Sequence, residues 1–150
     1  LSAIASLTVV PREGITELTR LARTSPSSFR AYLAEHGSKT RQEYDWSGYC
    51  MLYVLTYLEE RGIDLEPPEF NAESEAITSA YGLTTLITPA PGLLDQLDPA
   101  QHREEELVAH FEEMGMDFEE SGTAGLETLR LLRDCISDLR DDQVLLLIVG

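Results

Sequence analysis

The sequence predicts an α+β domain, with a small mixed sheet of three or more strands and several helices packed on it. Strand-like runs lie at both ends of the chain and one near its middle, and the stretches between them carry apolar residues at helical spacing. At 150 residues, 43% hydrophobic and 25% charged, the chain suits a single domain with one core.

Ser2 to Val10 sets Ala3, Ala5, Leu7 and Val9 on one face and Ser2, Ser6 and Thr8 largely on the other, the period of a half-buried strand that Pro11 ends. From Arg12 to Arg23, Ile15, Leu18, Leu21 and Ala22 recur as a helical stripe. Ser25 is placed to cap a second helix with Pro26 in its first turn and Phe29, Tyr32 and Leu33 as its stripe, up to Gly37. Ser38 to Glu43 reads as a loop. Tyr44 to Arg61 is apolar nearly all round, which predicts a central helix, with Gly62 and Ile63 supplying a Schellman ending.

Pro67 and Pro68 predict an extended acidic linker, followed by a short helix over Ser74 to Tyr81. Leu83 to Thr88 is a β-branched apolar run and reads as a strand closed by Pro89 and Pro91. After one helical turn at Leu93 to Leu97, Asp98-Pro99 predicts the start of a helix running to about Met114, with Leu107, Phe111 and Met114 buried and Glu105, Glu112 and Glu113 facing away. Gly115 to Gly122 reads as a loop holding Asp117, Glu119 and Glu120. Leu126, Leu129, Leu132, Ile136 and Leu139 then mark a last amphipathic helix, and Val144 to Val149 is apolar throughout, as in a strand covered on both faces. The first and last strands are expected to be neighbours.

Charge is unevenly distributed. Of 27 acids and eleven strong bases, sixteen acids and one base, Arg103, fall between Gly62 and Leu129, so this segment holds nearly all of the net charge of -16. Such a field repels nucleic acid and anionic membranes and attracts cationic surfaces. Cys50 and Cys135 lie far apart in apolar stretches without CxxC spacing and are expected to be free buried thiols. No apolar run approaches the roughly 20 residues of a membrane span, and Leu1 to Val10 lacks the basic start of a signal peptide, so a cytoplasmic location is expected.

Few residue patterns point to catalysis. His102, Glu106 and His110, spaced by four, share one side of the expected helix, but the pattern is neither HExxH nor a repeated Glu-x-x-His, so no metal site is assigned. There is no GxSxG elbow, no phosphate-binding glycine loop, and no DxDxDG calcium loop. No cofactor is expected. Trp46, Tyr49, Tyr53 and Tyr57 fall along one face of the central helix, and a core stripe is the simpler reading than an aromatic pocket.

The aromatic helix over Trp46 to Thr56 with its "LYVLTYL" ending, the "YGLTTLITPAPGLLDQLDP" stretch and the closing "LLLIVG" together resemble the YfbM-like family of small bacterial proteins of unknown function. The chain departs from that family's pattern in having no histidine over Cys50 to Tyr53. The resemblance implies an α+β fold and a cytosolic bacterial setting, and it supplies no activity or catalytic residue.

The expectation is therefore a non-enzymatic interaction protein that binds a basic protein partner, such as an inhibitor or an immunity-type protein covering a toxin, through Glu105, Glu112, Glu113, Asp117, Glu119 and Glu120. The competing expectation is an enzyme or small-molecule binder with a pocket beside the Trp46 to Tyr57 helix, near the Glu66 to Phe70 linker, using His36, Cys50 or a buried glutamate. A third reading gives the same acids to solvation alone.

Overall fold

A computed structural model describes residues 3–150 as one α+β domain. Its four strands are β1 (Ala5–Pro11), β2 (Ser38–Lys39), β3 (Leu83–Ile87) and β4 (Gln143–Val149), in the order β2-β1-β4-β3. Every pairing is antiparallel, which corrects the expected mixed sheet. The expected start of the first strand at Ser2 lies outside the described residues. β1 and β4 pair along their whole length from Ala5↔Val149 to Pro11↔Gln143, so the terminal strands are neighbours as anticipated.

Seven α-helices cover this sheet: α1 (Ile15–Thr24), α2 (Pro26–His36), α3 (Gly48–Glu60), α4 (Asn71–Tyr81), α5 (Leu93–Gln96), α6 (Glu104–Glu113) and α7 (Ser121–Ser137). The apolar run of β4 serves both faces. Leu145, Leu147 and Val149 join Ile87 in a core with Met51, Val54 and Tyr57 of α3, Leu107 and Phe111 of α6, and Leu129, Leu132 and Ile136 of α7. Val144 and Leu146 join Val10 and Leu86 in a second core with Ile15, Leu18 and Ala22 of α1, Phe29 of α2 and Ile77 of α4. The sheet is thus the middle of three layers. α6 and α7 pack on each other across a short connection, which returns the chain to the end of the sheet at which β3 left it.

Three local departures from the sequence reading have physical causes. The expected loop at Ser38 to Glu43 contains β2, whose two residues pair with Thr8 and Val9 and cover part of β1's outer edge. The central helix starts at Gly48 rather than Tyr44, because Ser47 takes the capping position and the Gly48 amide donates to Ala3 O at 2.8 Å. The helix expected over Pro99 to Met114 is broken. Asp98 does cap Ala100, but only a 3-10 turn forms over Pro99–Gln101, and His102 is extended at φ -123, ψ 145. Its ring is tied to Tyr57 and Gln96, and Glu104, Glu105 and Glu106 start a new helix where acids favour the N-terminal dipole.

Other signals hold. Ser25 accepts the Ser28 amide with Pro26 in the first turn of α2, and Gly62 at φ 72 ends α3 with Ile63 N–H donating to Leu58 O at 3.0 Å. Cys50 and Cys135 are free and buried. Among the described residues no helix is long and apolar enough to cross a membrane.

Candidate functional site

All six predicted partner-binding acids are exposed, and they lie along α6 and the connection from α6 to α7. Glu105 and Glu112 are seven residues apart and so share the helix face opposite buried Leu107 and Phe111, with Glu113 beside them. Asp117, Glu119 and Glu120 follow in the connection. Met114, expected in the buried stripe, is 40% exposed, because α6 ends at Glu113 and Gly115 at φ 81 turns the chain away.

The helix dipole separates these acids into two kinds. Glu105 lies in the first turn of α6, and Glu119 and Glu120 precede the first turn of α7, where negative charge is stabilising. Glu112 and Glu113 sit in the last turn of α6, where it is destabilising, and the basic side chain of that turn, His110, is 5% exposed. Among the described residues, Glu105 approaches Arg103 at 3.8 Å, and none of the other five acids makes an ion pair.

Beside the connection lies a hollow of about 360 Å³, lined by Trp46, Cys50, Met116 and Phe118, with Asp117 at its border. The Trp46 indole N–H donates to Glu127 Oε2 at 2.7 Å and the ring is tilted on Phe118, which in turn meets Phe111. The expected core stripe therefore frays at its start. Tyr57 is buried, whereas Trp46, Tyr49 and Tyr53 are half-buried. Met116 and Phe118, two large apolar residues in an acidic connection, were the sequence signal for this hollow.

The residues of the competing reading do not converge. His36 is exposed on α2, 3.7 Å from Glu35, while Cys50 lies on α3 in the core on the other face of the sheet. Burial pushes the Cys50 thiol up, against a lesser lowering by a backbone hydrogen bond, which disfavours a thiolate nucleophile. Two glutamates, Glu66 and Glu73, are half-buried. Glu73 Oε2 has no hydrogen-bond partner among the described residues, whereas both oxygens of Glu66 accept hydrogen bonds. Burial pushes the Glu66 carboxyl up, countered by the Leu86 amide donating at 2.8 Å and the Ser74 hydroxyl at 2.9 Å. Leu86 and Thr84 point their amides to the open side of β3, and Thr78 Oγ1 accepts from Thr84 at 3.0 Å, so these side chains satisfy the edge of the sheet.

Two further openings flank α3. A groove of about 400 Å³ between α3 and β3 includes Leu52, Leu55, Ile63 and Leu65, beside Glu66 and Pro68. A wider, open cleft of about 760 Å³ exposes Arg61, Asp95, Gln96 and Glu106 around Tyr57 and His102. Here His102 Nε2 faces the Gln96 carbonyl at 2.6 Å and must donate, so in the neutral ring the Tyr57 hydroxyl donates to Nδ1 at 2.9 Å. Arg61 stacks over Tyr57 at 4.1 Å and pairs with Glu106 at 2.6 Å; its pKa is raised first by the Tyr57 hydroxyl. His110 also meets the Tyr57 ring, edge to face at 5.8 Å. Thr56 donates to Tyr53 O and therefore accepts from His110 Nε2 at 2.8 Å, leaving Nδ1 3.4 Å from Glu60. With His102 off the helix, His102, Glu106 and His110 no longer form one stripe, and among the described residues no group of three or more His, Cys, Asp or Glu is arranged to hold a metal ion.

Compared with protein-family models, curated proteins and solved structures, the chain has no significant match.

Proposed function

We propose that this chain is a non-enzymatic interaction protein whose acidic α6–α7 end docks on a cationic surface of a partner protein. An inhibitor or immunity-type protein that covers a basic active site works in this manner, and the bacterial setting implied by the YfbM-like resemblance suits it. The observation that supports the reading is the placement of Glu112 and Glu113. They are exposed, without an ion pair among the described residues, at the helix end that negative charge weakens. Solvation alone does not require acids there, since the first turn of the same helix accommodates them at no such cost. A concentrated acidic face accelerates encounter with a basic partner and makes the association salt-sensitive.

The test is capture from the host with wild-type and Glu112→Lys/Glu113→Lys proteins at low and high salt, followed by identification and purified rebinding of what is retained. A basic protein that is held at low salt, released at high salt and lost with the double variant supports the proposal. Binding that ignores both salt and charge reversal sinks it.

The small-molecule reading draws on the cleft at Tyr57, Arg61 and His102. Both His102 nitrogens are engaged within the chain, so a ligand would meet Arg61, Asp95 and Glu106 rather than a free imidazole. Thermal-shift screening against polar metabolites separates the readings, because a ligand that binds the folded state raises its melting temperature.

A further inference from the structure

An acidic face gives rate and orientation, whereas affinity in a protein interface comes mainly from a few apolar side chains buried in fitted pockets. The hollow beside the α6–α7 connection has the properties of such a pocket. Trp46, Met116 and Phe118 form the apolar part of its lining, beside Ser47 and Asp117, and it is a shallow concavity of about 360 Å³ open to solvent, on which one large side chain can rest. It is also held in shape from behind. The Trp46 indole is fixed by Glu127, and Phe118 rests on Phe111, which is fully buried. A preformed lining loses little side-chain freedom on binding.

The surroundings define what can enter. Asp117 borders the hollow, Glu119 and Glu120 follow in the same connection, and Glu112 and Glu113 precede it, all exposed and without an ion pair among the described residues. A second copy of the chain docked about a two-fold axis would bring the same carboxylates against one another. An anionic membrane would be repelled in the same way.

We propose that this hollow is the anchor socket of the docking face, taking one aliphatic or aromatic side chain from a basic protein segment whose flanking lysines or arginines meet Asp117 and the neighbouring acids. This rests on the reading of the acidic end given above and adds the identity of the residue at the centre of the contact.

Trp46 is the single tryptophan of the chain, so its fluorescence reports on the socket directly. The full chain is titrated with two short Lys/Arg peptides of equal charge, one with a central leucine and one with a central serine. The leucine peptide is expected to shift Trp46 emission and to bind roughly tenfold or more tighter, the effect of burying one leucine side chain. Added salt weakens both. Met116→Gln, a change of similar length that makes the lining polar, is expected to reduce the leucine preference, whereas Asp117→Asn weakens both peptides and leaves their ratio unchanged.

Equal binding of the two peptides, still salt-sensitive, overturns the socket and leaves the acidic docking face standing. Failure of both peptides to bind at low salt overturns the socket and the docking face together. An emission change that depends on protein concentration without peptide also overturns the proposal, since the occupant would then be a second copy.

Discussion

Residues 12–36, on one face of the sheet, carry three acids and four arginines, whereas residues 104–120, on the other, carry eight acids and no arginine or lysine. The first region pairs charge within itself, as in Glu17 with Arg20 on α1. The second has no cation of its own: Glu106 pairs with Arg61 of α3 and Glu105 approaches Arg103, and the remaining acids make no ion pair among the described residues. Beneath these surfaces the two regions are alike: Leu18 and Phe29 on one side and Leu107 and Phe111 on the other are almost wholly buried. The difference teaches that the apolar pattern alone fixes the layers. The charge pattern is superimposed and constrains what the finished surface can meet.

If that separation is right, both cores should respond to truncation alike. Phe111→Ala is expected to cost about 3–5 kcal/mol and Leu18→Ala about 2–5 kcal/mol, read from the shift in urea midpoint followed by circular dichroism. A small loss for Phe111→Ala with a large one for Leu18→Ala would break the comparison, because α6 would then be loosely held and its acids would not form a fixed face. Gly125→Leu tests the same attachment from α7. A Cβ at Gly125 would already lie 3.2 Å from the Leu107 side chain, so the larger residue should force the helices apart at about 1–3 kcal/mol.

Glu66 is an acid of the negative segment with a definite structural duty, and it sharpens the contrast. Glu66→Ala leaves the Leu86 amide without its acceptor and is expected to cost about 1–3 kcal/mol. Glu66→Gln keeps an acceptor without the partly desolvated charge, so it should be far milder at neutral pH. The pH dependence follows from the direction of the shift. The folded state holds the Glu66 proton more tightly than the unfolded chain, so this contribution is fully present below the ordinary value of 4.5 and is lost as pH rises through the raised value. Wild type should lose stability relative to Glu66→Gln across that window in paired pH-dependent melts. A difference that grows instead as pH falls would mean that the hydrogen bonds outweigh burial.

Much of this arrangement was legible in the sequence. The two-sided burial of Val144 to Val149, the cap at Ser25 and the Gly62 ending depend on neighbours within a turn or on the composition of one run, and local patterns suffice for these. The acids of α6 were placed on its outer side by the positions of Leu107 and Phe111. What was not legible depends on distant partners. The break at His102 comes from Tyr57, 45 positions away, and from the Gln96 carbonyl. The role of Glu66 needs β3, 20 positions on. The hollow required Trp46 to meet Phe118 across two elements, and periodicity carries no information about such meetings.

The finest test compares the two ends of α6. Glu105 and Glu112 lie on the same face, both exposed, and changing either to lysine alters the net charge by the same amount, so any general relief of repulsion is common to both. Their positions along the dipole differ. Glu105→Lys should lower stability by about 0.3–1 kcal/mol and Glu112→Lys should raise it by a similar amount, each relative to that common shift. The gap should shrink in high salt. Melting curves of the two variants at low ionic strength measure it. Should Glu112→Lys destabilise the fold at least as much as Glu105→Lys, Glu112 has a structural role after all, and its charge no longer argues for a partner. A more stable Glu112→Lys protein that has lost its association would instead show that the acid is retained at the expense of the helix, for the surface it presents.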